Sequence, residues 1–258
     1  MRAYRAVLFD LFDTLVLFNR ERLPLVQING QMVHTTAGYL HPMVQEHYPD
    51  ISLEDFYQAL VASWREAERR RDLDHREVSA SERMTILFEE LAVNLGGVPP
   101  GLADRLVSVH ARHFSEVAVL PPEHRSLVQT LNQRYRLAVV SNFDYTPTVH
   151  RVLERAGLLS LFEAVVISDQ VGWRKPSPII FHEALNRLHL DPADALFVGD
   201  RPEIDVAGAK GVGMRVAWIN REGEPLPAEI PAPDYEIWVL EALGPILVPG
   251  ISSAAPGV

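Results

Sequence analysis

Residues 6–15 read Ala-Val-Leu-Phe-Asp-Leu-Phe-Asp-Thr-Leu. Four apolar residues followed at once by an acid describe a short strand that delivers Asp10 to its carboxyl end and turns through Asp13, Thr14 and Leu15. An unbroken apolar run, with no alternation, suits a strand buried on both faces, as in a parallel sheet. A carboxylate held at such a strand end can serve as a covalent nucleophile. It can equally cap a turn, so the rest of the chain has to decide.

Three later segments repeat the pattern. Leu137-Ala138-Val139-Val140 ends in Ser141-Asn142. Ala164-Val165-Val166-Ile167 leads to a loop that closes on Gly172-Trp173-Arg174-Lys175-Pro176. Ala195-Leu196-Phe197-Val198 runs into Gly199-Asp200-Arg201-Pro202-Glu203-Ile204-Asp205. Open α/β sheets bind ligands beyond the carboxyl ends of their strands, so the four loops are expected to face one crevice. They bring to it an acid, a hydroxyl, an ammonium and an acid pair. Ser177-Pro178 and Thr146-Pro147 each place a cap before a first-turn proline, and Met214 to Ile219 reads as the last clear strand. Right-handed crossovers then give an α/β fold, a Rossmann-like parallel sheet with helices on both faces.

Between the first strand and Pro121-Pro122 the pattern changes. Leu25–Ile28 and Gln31–His34 alternate around Asn29-Gly30, the strongest short hairpin signal. Ser52 with Asp55, and Ser79 with Glu82, mark helix starts. Phe56, Ala59, Leu60, Ser63, Trp64 and Ala67 form one helical stripe, and Met84, Leu87, Phe88 and Leu91 another that Gly96-Gly97 is expected to end. A further helix is expected over 101–116. The organisation is therefore a core of 1–16 and 119–248, a hairpin and helical cap over 17–118, and a flexible tail over 249–258.

In order and spacing the four loops resemble the haloacid dehalogenase superfamily of hydrolases, over about residues 1–16 and 120–242. The resemblance implies Asp10 as nucleophile, Ser141 as a hydrogen-bond donor to the transferring group and Lys175 as the neutralising cation. It implies a magnesium cofactor on Asp10, Asp200 and the backbone carbonyl of Phe12, with Asp205, or alternatively Glu203, supporting them from behind. Leu11, Phe12, Asn142 and Lys175 then contact substrate, and Asp144, Trp173 and Arg174 border the site. It also implies that the cap selects the leaving group, with Arg65, His75, Arg76 and Arg83 as unassigned candidates.

One position departs from the pattern. Family phosphatases carry a second aspartate two residues after the nucleophile as general acid and base; here Phe12 stands there. Asp13 could substitute only through a shifted loop. An aromatic at this position and Ser-Asn after the second strand occur in hydrolytic dehalogenases, which need no metal, whereas Gly199-Asp200 with Asp205 is the phosphatase form. The leading expectation is a magnesium-dependent phosphate-ester or phosphonate hydrolase acting on a small phosphorylated metabolite. A 2-haloacid dehalogenase is the alternative, and a module that binds a phosphorylated ligand with little turnover is a third reading.

Composition narrows the partners. A formal net charge of −10, with no basic tract beyond Arg69-Arg70-Arg71, argues against nucleic acid. That triplet sits among Glu66, Glu68 and Asp72 and reads as a solvated helix face. Zero cysteines exclude disulfides and thiolate chemistry. No apolar run is long enough for a bilayer, so a cytoplasmic protein with no membrane partner is expected. His110 and His113 share a helix face at a metal-compatible spacing, but without a third ligand they read as an ordinary helical pair.

Overall fold

Ala6, Val7, Leu8 and Phe9 have no exposed surface, and strands on either side account for it. The computed structural model describes residues 4–93 and 97–247. In chain order the elements are β1 (Ala6–Phe9), β2 (Leu17–Phe18), β3 (Leu25–Ile28), β4 (Gln31–His34), α1 (Ala37–Gln45), α2 (Leu53–Asp74), α3 (Ala80–Glu90) and α4 (Leu102–Glu116). There follow β5 (Ala118–Val119), α5 (Pro122–Asn132), β6 (Arg136–Ser141), α6 (Thr146–Arg155), β7 (Ala164–Ile167), α7 (Ser168–Val171), α8 (Pro178–Arg187) and β8 (Ala195–Gly199). The last are α9 (Ala207–Gly211), β9 (Arg215–Ile219), β10 (Tyr235–Ile237) and α10 (Leu243–Leu247). The chain divides into two compact units: the described parts of Met1–Leu17, Val119–Asn142 and Leu153–Val258 form one, and those of Phe18–Ala118 and Phe143–Val152 the other.

The first unit is built on a six-stranded sheet in the order β10-β9-β8-β1-β6-β7. Every pairing in it is parallel, and Phe9 lies opposite Val139 on one side and Val198 on the other. β1 is thus central, with β6 and β8 leading away from it in opposite directions, the arrangement that opens a crevice at the carboxyl ends. Alternate residues feed the two faces. Ala6, Leu8, Ala138, Val140 and Phe197 pack with Ile180, Phe181, Ala184 and Leu185 of α8 and Ala209 of α9. α5, with Leu127, Val128 and Leu131 buried, packs against β6 from the other side. α8 begins as its sequence suggests, with the Ser177 hydroxyl accepting from the Ile179 amide ahead of a first-turn proline.

Among the described residues the second unit holds a hairpin, the helices α1 to α4 and the part of α6 up to Val152. Asn29 and Gly30 both have positive φ, 49° and 77°, the left-handed pair that a two-residue turn of this type requires. Ser79 and Glu82 form the full reciprocal capping box, whereas Ser52 accepts from the Asp55 amide alone. Leu40, Val44, Phe56, Leu60, Met84, Leu87, Phe88, Leu102 and Leu106 make one apolar cluster from α1 to α4.

Several expectations change. Trp64 is exposed, at 53%, because its register falls off the edge of the buried stripe, which Arg71 extends instead. Arg69 and Arg70 are exposed and paired with Glu66, but Arg71 is buried, so the triplet is not one solvated face. α3 ends at Glu90, where the chain turns through Ala92 with φ 54°, well before Gly97; Gly96 lies outside the described residues. The proposed tail over 249–258 also lies outside them. Residues 143–152 group with the helical unit, which the sequence reading placed in the core.

Candidate active site

The carboxyl ends of β1, β6 and β8 set Asp10, Ser141 and Asp200 side by side because their strands are hydrogen-bonded neighbours. Asp10 continues the ladder, its amide donating to the Val198 carbonyl at 2.8 Å. Lys175 reaches in from the loop after α7. Its Nζ donates to Asp10 Oδ1 at 2.5 Å and to Asp205 Oδ1 at 2.7 Å, and the lysine is 2% exposed. A buried ammonium persists only where paired in this way.

Asp205 is held as firmly as it holds Lys175. Its Oδ2 accepts from the backbone amides of Asp200 and Arg201, both at 3.1 Å. The wide turn over Pro202–Val206, a single π-helical turn, brings this carboxylate back under the end of β8. Gly199 makes the room: a Cβ there would stand 2.4 Å from the Asp205 carboxyl carbon.

Asn142 clamps the lysine loop, its Oδ1 accepting from the Lys175 amide at 2.7 Å and its Nδ2 donating to the Lys175 carbonyl at 2.9 Å. Both ends of that amide are thus committed to backbone. The Ser141 hydroxyl, by contrast, is fully buried and finds no hydrogen-bond partner among the described residues. An orphaned buried hydroxyl costs free energy and is rare enough to need a reason; a ligand oxygen would supply one.

The electrostatics follow from crowding. Oxygen atoms of Asp10, Asp200 and Asp205 lie within 4.8 Å of one another, with Lys175 the cation bonded into the group. Burial, then the neighbouring Asp10 and Asp205 charges, push Asp200 up to about 8. Burial pushes Asp10 up to about 6 against the pull of Lys175. Burial alone would lower Lys175, but the Asp10 and Asp205 charges outweigh it and raise its pKa. Were all three ionised, the carboxylates would exceed the one ammonium by two charges; that crowding is what raises Asp10 and Asp200, and a divalent cation would relieve it. Hard oxygen donors at this spacing suit magnesium. The residues present therefore fit the group that the resemblance implies.

Of the other expected site residues, Leu11 has a fully buried side chain, so only its backbone is available to a ligand; its amide hydrogen-bonds the Asp10 carboxylate. Phe12 is half-buried and bridges to Val16. Asp13 turns the chain at φ 59°, its amide donating to the Val16 carbonyl at 2.6 Å. Glu203 lies outside the carboxylate trio. Trp173 and Arg174 are half-buried beside Lys175, and Asp144 belongs with the helical unit.

Three residues at the site were missed in the sequence. The Thr14 hydroxyl donates to Asp200 Oδ1 at 3.2 Å, the Trp218 indole N–H donates to the Asp200 carbonyl at 2.9 Å, and Arg221 donates to the Asp13 carbonyl at 2.5 Å. Thr14 lay in plain view four residues after Asp10. Trp218 and Arg221 carry no local signal, because β9 reaches the site only through its pairing with β8.

A doubly wound parallel sheet with an acid, a hydroxyl, a lysine and an acid pair on its strand ends defines a hydrolase class. Residues 4–213 match the haloacid dehalogenase-like hydrolases, and the chain belongs to that family. Glyceraldehyde 3-phosphate phosphatase of Pyrococcus abyssi is 32% identical over 122 residues, 47% of this chain and 51% of that protein. The chain thus spans about half the length of that relative. Ribulose-1,5-bisphosphate 5-phosphatase of Halopiger xanaduensis is 29% identical over 221 residues, 85% of this chain and 86% of that one. The crystal structure of a 2-haloacid dehalogenase from Pseudomonas syringae pv. tomato superposes with a TM-score of 0.68 at 26% identity, covering 95% of this chain and 98% of that one.

Proposed function

We propose that this chain hydrolyses a phosphate ester or phosphonate of a small metabolite, with Asp10 as nucleophile and magnesium as cofactor. The observation that carries the reading is the crowded trio of Asp10, Asp200 and Asp205 beside the unpartnered Ser141 hydroxyl. An Asp10 oxygen attacks phosphorus as the bond to the leaving group breaks; water then cleaves the aspartyl-phosphate, releasing phosphate and restoring the carboxylate. Ser141 donates to a phosphoryl oxygen, and Lys175 offsets the charge that gathers as the anion approaches. Asp10, Asp200 and the Phe12 carbonyl would hold the metal. When bound, magnesium supplies positive charge to the phosphoryl oxygens. Asp205 fixes Lys175 and the Asp200 backbone, and the insert over 17–118 selects the substrate. No described helix is long and apolar enough to cross a membrane, and the reaction is assigned to the cytoplasm.

Dehalogenation of a 2-haloacid is the second reading. Phe12 and Ser141-Asn142 favour it, and the acid pair Asp200 and Asp205 opposes it. A panel of phosphorylated metabolites and haloacids, assayed with and without magnesium, separates the two: phosphate release that chelation abolishes supports the proposal, and metal-independent halide release refutes it. Stoichiometric binding without turnover would point to the ligand-binding module. Asp10→Asn keeps the shape but not the nucleophile, and turnover surviving in that variant would sink the assignment of Asp10.

A further inference from the structure

β9 runs parallel to β8, so the residues that close it stand at the same edge of the sheet as Asp200. Two side chains from that end reach the turns beyond other strands. The Trp218 indole donates to the Asp200 carbonyl at 2.9 Å, and Arg221 Nη1 donates to the Asp13 carbonyl at 2.5 Å. Between these two carbonyls the Thr14 hydroxyl, on a residue with no exposed surface, donates to Asp200 Oδ1 at 3.2 Å. The contacts close a ring from Asp200 through Trp218, Arg221, Asp13 and Thr14 back to Asp200, and every member lies in the sheet unit. Arg221 is also fixed at its root. The buried Asn220 before it donates its amide to the Ile237 carbonyl at 2.8 Å, and its side chain bonds both the amide and the carbonyl of Glu224, at 3.0 and 2.9 Å, and the Glu236 carboxylate at 2.6 Å. Arg221 Nη2, by contrast, is shielded from solvent and finds no hydrogen-bond partner among the described residues. A buried donor left bare is costly, and an apolar side chain would avoid the cost. What arginine adds at this position is the bond to Asp13.

That bond matters because of where it acts. Asp13 stands at φ 59°, a conformation that residues other than glycine seldom adopt. Its carbonyl shares one rigid peptide plane with the Thr14 amide, so the direction Arg221 imposes on the carbonyl is the direction from which Thr14 sets out. We propose that Arg221 is a positioning residue for Asp200: by holding the Asp13 carbonyl it keeps the Thr14 hydroxyl on the Asp200 carboxylate. The role rests on the reading of Asp200 as a carboxylate that holds magnesium, since such a ligand is oriented by the donors behind it. Arg221 touches neither Asp200 nor a reacting group in this arrangement and acts through Thr14.

The test compares the intact wild-type protein with Arg221→Met, Arg221→Lys, Thr14→Val, the double variant Arg221→Met with Thr14→Val, and Ile237→Val. Two readouts need no substrate: magnesium affinity by calorimetry, and exchange of the Asp13 amide by NMR relative to the amides of β1. The Asp13 amide reports the turn because it bonds the Val16 carbonyl at 2.6 Å. Thr14→Val is expected to weaken magnesium about 10- to 100-fold and Arg221→Met about tenfold, the range for loss of a donor behind a ligand. Arg221→Met should also speed Asp13 exchange about tenfold through local opening of the turn. A single bond to a carbonyl does not need the guanidinium fork, so Arg221→Lys should recover most of both. Because Arg221 acts through Thr14, the double variant should bind magnesium within about twofold of Thr14→Val alone, the non-additivity expected of coupled residues. Ile237→Val trims the buried β10 side chain and should lower stability while leaving both readouts near wild type. Should Arg221→Met not fold, the shorter but polar Arg221→Gln takes its place in the comparison. Additive losses in the double variant, unchanged Asp13 exchange without Arg221, or an equal effect from Ile237→Val overturns the proposal. A wild type that binds no magnesium refutes the metal reading of the site, and the positioning role then stands or falls on the Asp13 exchange of Arg221→Met against Arg221→Lys.

Discussion

Adding one methyl group at Gly199 should dismantle the acid cluster without altering a charged residue. A Cβ built there lies 2.4 Å from Asp205 Cγ, 2.4 Å from Oδ2 and 2.6 Å from Cβ, distances at which something must move. Asp205 is not free to do so, since Oδ2 accepts from two backbone amides and Oδ1 from Lys175. β8 is buried along its whole length between β1 and β9 and cannot retreat either. Overpacking of this kind costs about 1–3 kcal/mol, and losing one hydrogen bond to a charged acceptor adds about 1.5–3 kcal/mol. Gly199→Ala is therefore expected to lose about 2.5–6 kcal/mol in urea unfolding and to weaken magnesium binding, measured by calorimetry, because the Asp200 amide loses its acceptor. Gly211→Ala is the control: α9 leaves open space around that Cβ, and the change should be neutral or stabilise by up to about 1 kcal/mol. A Gly199→Ala protein within about 0.5 kcal/mol of wild type, inside the range of a bland surface change, would show that Asp205 is not locked as described.

Phe12→Asp should raise turnover of alkyl phosphates more than that of aryl phosphates, by up to about 10²–10⁴-fold for a supplied general acid. Efficient alkyl-ester hydrolysis by the wild type, abolished by Asp13→Asn, would show instead that Asp13 already gives the proton. Trp218→Phe removes the donor to the Asp200 carbonyl and should weaken magnesium about 10- to 100-fold, with calorimetry as the readout and an unaltered affinity as the refutation. His110 shares a 2.8 Å hydrogen bond with Thr36, and burial, then the Arg83 charge, lower its pKa to about 3. Its folded pKa lies below the unfolded value, so the unfolded chain takes up a proton first as pH falls. Stability should decline from about pH 6.5 downward, by at most about 2 kcal/mol at pH 5. His110→Asn should flatten that slope in urea titrations at pH 7 and pH 5, and a slope unchanged by the substitution would remove His110 as its source.

The sheet was legible in the sequence because β1, β6, β7 and β8 are each an apolar run closed by a polar loop, the pattern that burial on both faces leaves. Asp10, Ser141 and Asp200 were legible for the same reason: a residue at or directly beyond a strand end is placed by the strand, whereas Lys175 comes from the loop after α7. The hairpin declared itself through Asn29-Gly30, the one pair suited to its two left-handed positions. α1 was not seen, since nine residues containing Pro42 offer too short a stripe for the helical period to stand out. Arg71 and Trp64 were assigned the wrong surroundings because both sit near the border of the α2 stripe, where neighbouring helices decide what is covered.

What tertiary structure alone decided is the support of the site. Thr14 from the turn after β1 and Trp218 from β9 meet Asp200, and Asn142 meets Lys175 across 33 residues of chain. Local sequence encodes which residue stands at a strand end, since backbone geometry fixes that within a few positions. It does not encode which partner arrives there, because that depends on strand order and helix packing, and these are settled only when the apolar faces of distant segments are buried together.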